Sequence, residues 1–481
     1  MRNFNELQAD LGAALTANSP GSGRSHVVIA LPSFSVSETL MSHYGERIQA
    51  LEHRYLVSSL MTHRLQDVDY VYLSSRAPAP EVIDYYRALG PREGAFQART
   101  WFVAVDDLTP RCMADKLLDR PDLVEWLREF VDGRPALIEP WNVTEHEVAV
   151  AERLQVPLNG MDPSLRHLGY KSAGRRLFRR AGIPMPYGWE DVHSIDDLLE
   201  AITDVQVARP DAVGVVVKHD DSGAGDGNVV IAIRDSSRDA VDVRRQLREL
   251  PGWYLRDLRR GGVVEELVTG ADSRSPSAQI DLLPDGSVIV LATHEQLLGG
   301  ENGQVFLGCR FPADAVYAGQ LARQARAVGE RLAAAGVTGR ASIDFAAARD
   351  GSGRWDVYAL EVNLRKGGTT HPYAALRNLV PGRYDPGAGT WVARDGSPRA
   401  YVCTDNLLDP SWIGLEPSAV IDAVTTGGCR FDHRTGTGVV LHMLSGLGID
   451  GRIGLTASAG TPDLAQALFG RACELVAGAA A

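Results

Sequence analysis

At 481 residues the chain exceeds one ordinary core, and 44% hydrophobic with 23% charged residues describes a globular protein of two to four domains. A formal charge of −12 argues against nucleic acid or an anionic membrane as main partner, and apolar runs such as 27–31 are too short to cross a bilayer. Five scattered cysteines (112, 309, 403, 429 and 473) include no CxxC pair, so reduced thiols in a cytoplasmic protein are expected rather than a zinc ribbon or a disulfide framework.

The N-terminal MRNFNELQADL carries acidic residues where a signal peptide would be basic and then apolar. Apolar runs at 26–32, 68–75, 101–105 and 135–141 predict strands, and the amphipathic spans 37–65 and 121–131 predict helices between them. That alternation predicts an open α/β domain over 1–164, ending where Asn, Gly, Asp and Pro cluster in NGMDPSLRHLGY. A helix, KSAGRRLFRRAGIP, opens the middle region. It is followed by VVVKHDDSGAGDGNVVIAI (215–233), in which three valines reach Lys218 and glycines stand at 223, 225 and 227. Phosphate loops of the Walker and dinucleotide types run from a strand into a helix, whereas this one joins two strands.

The richest stretch is ASIDFAAARDGSGRWDVYALEVNLRKGG (341–368), two strand-like runs around the turn RDGSGR. With the turn centred near Ser352, Asp344 falls opposite Glu361 and Asn363 shares their face, while Ile343, Phe345, Leu360, Val362 and Leu364 face a core. Facing like charges are destabilising. A divalent cation removes the repulsion, and Asp, Glu and Asn are the hard oxygen ligands that magnesium takes. Arg365 adds a fixed positive charge beside them, suited to an oxyanion or phosphoryl group.

These residues resemble the ATP-grasp superfamily, whose metal strand carries Glu-x-Asn, extended in several members to Glu-x-Asn-x-Arg as in EVNLR here. Its nucleotide lid is a mobile glycine-rich hairpin, which the loop with Ser222, Gly223, Gly225, Gly227 and Asn228 resembles; exposed N–H groups there would reach phosphate oxygens. The resemblance makes Lys171 and Lys218 the two ATP lysines. It assigns adenine to backbone groups of Glu265, Glu266, Leu267 and Val268, and ribose to Asp272. The lid aspartates 220, 221 and 226 are expected on the solvent side. The lobes fall at about 165–258 and 259–371, and 372–481 is a C-terminal extension expected to wall a peptide cleft or serve dimerisation. The order of RYL, YYRALGP, KLLDRPDLV, VPLNGMDPSLRHLGYKSAGRRLFRRAGIP and DGNVVIAI is similar to the pheganomycin-type peptide ligases, which join a free amino acid derivative to the N-terminus of a peptide.

The fold implied is α/β (α+β): an N-terminal open α/β domain, a two-lobed ATP-grasp fold and the extension. The function implied is an ADP-forming ligase that joins an amino acid carboxylate to a peptide amine through an acyl phosphate, using ATP and two magnesium ions. A small-molecule kinase of the same fold, or a nucleotide-binding protein without catalysis, is the alternative. Base rates favour a homodimer. Arg365 and Lys218 would stabilise the transferring group, and His294 or His371 would deprotonate the amine. Gly367, Gly368, Thr369, Thr370 and His371 would receive the substrate carboxylate. His433, His442 and Cys429 match no common zinc spacing.

Overall fold

The computed structural model describes residues 1–36, 41–42, 44–222, 227–233, 239–300, 303 and 305–479. In a first sheet, β1 (His26–Leu31), β2 (Val68–Ser74), β3 (Thr100–Ala104) and β4 (Ala136–Pro140) run parallel in the order β3-β2-β1-β4. The unbroken apolar run HVVIAL makes β1 a strand covered on both faces, and all six residues are buried. Strands β2 and β3 lie on one side of β1 and β4 on the other, so the winding reverses between β1 and β4. Pro32 and Trp141 follow the carboxyl ends of those two strands.

The helix Pro121–Val131 matches expectation, with proline in its first turn. The span 37–65 does not form one helix. Its described part divides into a helix Arg47–Arg54, a 3-10 segment Tyr55–Leu60 and a short helix Met61–Arg64. The hydroxyls of Ser58 and Ser59 donate to the carbonyls of Tyr55 and Leu56, three residues back, and this competition with the backbone tightens the turn.

A second, antiparallel sheet holds β5 (Gly188–Trp189), β6 (Gly214–His219), β7 (Asn228–Ala232) and β8 (Gly262–Glu266) in the order β5-β8-β6-β7. Val215, Val217 and Ile231 pack against Leu198, Ile202 and Val205 of the helix Ile195–Ala208. The strands on either side of the glycine-rich stretch thus pair antiparallel, as β6 and β7, with Lys218 opposite Asn228.

The third sheet has ten strands: β9 (Asp272–Leu282), β10 (Val288–Gly299), β11 (Val305–Phe311), β12 (Gly339–Arg349), β13 (Trp355–Asn363), β14 (Gly382–Asp385), β15 (Thr390–Ala393), β16 (Pro398–Leu408), β17 (Gly438–His442) and β18 (Arg452–Ala459). Eight follow the order β13-β12-β9-β10-β11-β16-β15-β14, and β18 joins β16 to β17. The strands β14 to β18 of the extension therefore continue the sheet that bears the Asp344 hairpin. β16 pairs with β11, Cys403 opposite Cys309, and so closes what would be an open edge. The extension also shares a core with the N-terminal sheet, where the hydroxyls of Tyr85 and Tyr86 donate to the carbonyls of Val439 and Leu441.

Candidate active site

Strands β12 and β13 place Asp344 opposite Glu361, as the charge pattern predicts. The ladder slips immediately afterwards, pairing Phe345 with Ala359, so Leu360 is the extra residue of a bulge. The face shifts by one there. Ala359 and Val357 join Ile343, Phe345 and Val362 in the core, Leu364 packs at its margin, and Leu360 leaves the face predicted for it. The Asn363 amide donates to Asp344 (3.0 Å) and to Glu361 (2.9 Å), joining the two carboxylates. Burial, then the facing Glu361, push the Asp344 carboxyl above its ordinary range. Burial works against ionising Glu361 too, yet Lys171 and Lys218 hold it below its ordinary range. A half-buried carboxylate pair flanked by amides and lysines is the donor set a hard divalent cation fits, with Asp344, Glu361 and Asn363 to hold it.

Lys171 opens the helix Lys171–Ala181 and is buried; its Nζ lies 3.1 Å from Glu361 and donates to the Ser222 carbonyl at 2.6 Å. Lys218 leaves β6 to meet the buried carboxylate of Glu265 at 2.6 Å. Ser222 turns its hydroxyl to the His219 carbonyl. Gly227 has φ +83, and a Cβ there would lie 2.7 Å from the His219 ring, so the turn needs glycine. Gly223, Gly225 and Asp226 lie outside the described residues. Asp221 is exposed and paired with Arg166, as expected of the solvent side, but Asp220 is not. Asp220 accepts from the Ser172 N–H at 2.8 Å and anchors the start of the lysine's helix.

At the hinge, the N–H groups of Glu266 and Leu267 donate to the carbonyls of Tyr187 and Gly214 within the lid lobe. The Glu265 side chain binds Lys218 and Arg175 instead of facing outward. Asp272 pairs with Arg274, which also binds Asp314. Arg365 lies over the Trp141 ring, 5.2 Å from its centroid, and donates to the Lys366 carbonyl.

The two candidate bases are misplaced for that task. His294 is fully buried between Phe311 and Tyr401, hydrogen-bonded to the Tyr401 hydroxyl at 2.6 Å, and burial lowers it to about 3. His371 is fully buried as well, its Nε2 3.4 Å from the Cys403 sulfur, which also has His442 Nε2 at 3.8 Å. Neither ring can reach an incoming amine. The threonines that follow Arg365 are likewise engaged. Thr370 accepts from the Gly367 N–H and donates to Gln279, which in turn donates to the Thr369 carbonyl; both threonines are buried. Gly368 sits against the Phe306 ring. The Thr370 hydroxyl and the Thr369 carbonyl hold the polypeptide rather than a ligand.

Three residues absent from the expected site belong to it. Arg175, one helical turn after Lys171 on the same face, is fully buried and binds Glu265 (2.7 Å), Glu190 (2.9 Å) and the carbonyls of Pro186 and Gly188. It fixes the carboxylate that in turn fixes Lys218. Gln296 of β10 donates to Asp344 at 3.0 Å. Trp141, just past the end of β4, carries Arg365 on its ring and accepts the Lys366 N–H at its carbonyl. The i, i+4 spacing of Lys171 and Arg175 is the one signal visible in the sequence.

No protein-family profile matches the chain. It is 31% identical over 422 residues to L-propargylglycine–L-glutamate ligase of Streptantibioticus cattleyicolor, across 85% of this chain and 86% of that one. It is 22% identical over 360 residues to IQ motif-containing protein H of Danio rerio, of which it spans 34%. Among solved structures, the biotin carboxylase domain of Hydrogenobacter thermophilus 2-oxoglutarate carboxylase superposes with a TM-score of 0.54 at 13% identity, covering 94% of this chain and 90% of that one. An ADP complex of N5-carboxyaminoimidazole ribonucleotide synthetase gives 0.53 at 13% identity, covering 95% and 97%. These two share the fold.

Proposed function

The chain belongs to the ATP-grasp carboxylate–amine ligases, and from that premise we propose that it joins the carboxylate of an amino acid to the amine of a peptide, with ATP and magnesium. The observation that carries this reading is the half-buried pair Asp344 and Glu361, bridged by Asn363 and met by Lys171 from the lid side. Phosphoryl transfer needs positioning and charge neutralisation more than a protein nucleophile. Lys171 and Lys218 would turn from Glu361 and Glu265 to the phosphates, and the Glu266 carbonyl with Val268 would hold adenine. Arg365, braced on Trp141, would stabilise charge on the acyl group. Magnesium held by Asp344, Glu361 and Asn363 would neutralise the phosphate oxygens. The substrate carboxylate oxygen takes the γ-phosphoryl group and ADP departs; the amine then attacks the acyl carbon, phosphate leaves, and the ammonium proton passes to solvent.

Among the described residues no helix is long and apolar enough to cross a membrane. The reading places the enzyme in the cytoplasm, where its ATP is, and as a homodimer, which light scattering would test.

The test is phosphate release with ATP and magnesium, scanning amino acids singly and then with peptides. Release that requires both an acid and an amine, with a product of their summed mass less water, is the expected outcome. A stable phosphate ester formed without the amine would make it a kinase.

A further inference from the structure

A cavity of about 560 Å³ lies between the first sheet, the short helix Met61–Arg64 and the helix Thr370–Leu379, a size suited to a small ligand. Ala30 and Pro32 line it from the end of β1, and Pro140 and Trp141 from the end of β4. That is where the winding of the sheet reverses, the place at which open α/β sheets take ligands. Trp141 and Lys366 connect it to Arg365, which stacks on the first and precedes the second in the chain.

The charges in its wall do not cancel. Arg340 pairs with Asp281 at 2.5 Å, Lys366 pairs with Glu139 at 2.8 Å, and Asp285 accepts from the N–H and hydroxyl of Ser287 in its own turn. Arg64 and Arg377 remain. Arg64 donates to the Asn378 side chain at 3.0 Å, which brings it beside Arg377, and among the described residues neither arginine has a carboxylate partner. Burial, then the charge of Arg377, lower Arg64 to about 9. Both arginines stand in the last turns of their helices, but a helix end carries about half a negative charge and offsets only part of two positive ones. Burial raises the Tyr373 hydroxyl, which lines the same cavity, and keeps it from supplying a negative charge. Two half-buried guanidinium groups on one wall, short of an anion, form a fork suited to a carboxylate.

Resting on the ligase function above, we propose that this cavity receives the amine-bearing substrate and that Arg64 and Arg377 bind a carboxylate of it. The carboxylate is either the α-carboxylate or an acidic side chain. Held there, the substrate would lie beside Trp141 and Lys366, the neighbours of Arg365, its amine free to turn toward the acyl phosphate.

Calorimetric titration of the full chain with L-glutamate, L-glutamine, L-isoglutamine and glutamic acid diamide tests the site. Glutamate is expected to bind and the diamide not. Binding of isoglutamine without glutamine assigns the arginines to a side-chain carboxylate, and the reverse assigns them to an α-carboxylate. Arg64→Gln and Arg377→Gln should each weaken glutamate binding about 10- to 100-fold, and the Lys variants less, while a fluorescent ADP analogue binds every variant as it binds the unaltered protein. The proposal is overturned if glutamate fails to bind the unaltered protein, if the diamide binds equally, or if both Gln variants retain full affinity. Arginine-dependent glutamate binding without amine-dependent ADP release would defeat the ligase function and still support the site.

Discussion

Glu361→Gln is expected to lower ATP-dependent phosphate release by about three orders of magnitude while the protein stays folded. Glu361 faces Asp344, shares the Asn363 amide with it, and supplies the oxygen that meets Lys171. Glutamine keeps the shape and can still accept from Lys171, so the buried ammonium retains a partner. Alanine would strand it, and breaking a buried pair from one side costs about 3–5 kcal/mol, which would confuse a lost activity with a lost fold. Steady-state rates across a magnesium titration, beside a thermal melt, separate the two. Activity within tenfold of the unaltered enzyme would remove the hairpin from the active site.

Mild acid should destabilise this protein through its buried histidines. Burial lowers His53 and His63 to about 4, and His294 and His442 to about 3; His371 lies well below its ordinary value for the same reason. In the unfolded chain these rings take up protons near pH 6.5, whereas in the fold they do so only near 3 to 4. Their contribution is fully present above pH 6.5 and is lost as pH falls toward 4. Each ring contributes a loss of up to about 1.4 kcal/mol per pH unit, partly offset by Glu52 and Asp344, whose raised carboxyls take up protons in the fold before they do so in the unfolded chain. Urea midpoints at pH 7.5, 6.5 and 5.5 would fall across the last interval. A flat profile down to pH 5 would mean that the rings are not buried as described.

What the sequence disclosed and what it hid divide along contact range. The pairing of Asp344 with Glu361 was legible because one turn sets it and the charges mark the face. The bulge at Leu360 was not, since nothing in ALEVN says which residue the ladder skips. Lys171 and Lys218 were legible through a family pattern. The links from Arg175 to Glu265 and from Gln296 to Asp344 join residues 90 and 48 positions apart, and folding alone brings them together. His294 and His371 were misjudged because burial, decided by β16 and β17 far along the chain, is invisible beside a motif. The same holds for the extension, which pairs with β11 across nearly a hundred residues.

Lys171 touches two things at once, the Ser222 carbonyl of the lid strand's end and the Glu361 carboxylate. The resting enzyme thus carries its own counterion, a tethered placeholder at the spot a divalent ion would take. Filling the site is then a displacement and not an addition. On the proposed function the lysine would let go of Glu361 as that carboxylate takes a metal, and a triphosphate would give the released ammonium somewhere to go. Each ligand clears the way for the other, and by reciprocity each should raise the other's affinity by the same factor. Titrations of magnesium with and without ATP, and of ATP with and without magnesium, would give that factor twice, and a factor near one in Lys171→Met but well above one in the unaltered protein would identify the lysine as the gatekeeper.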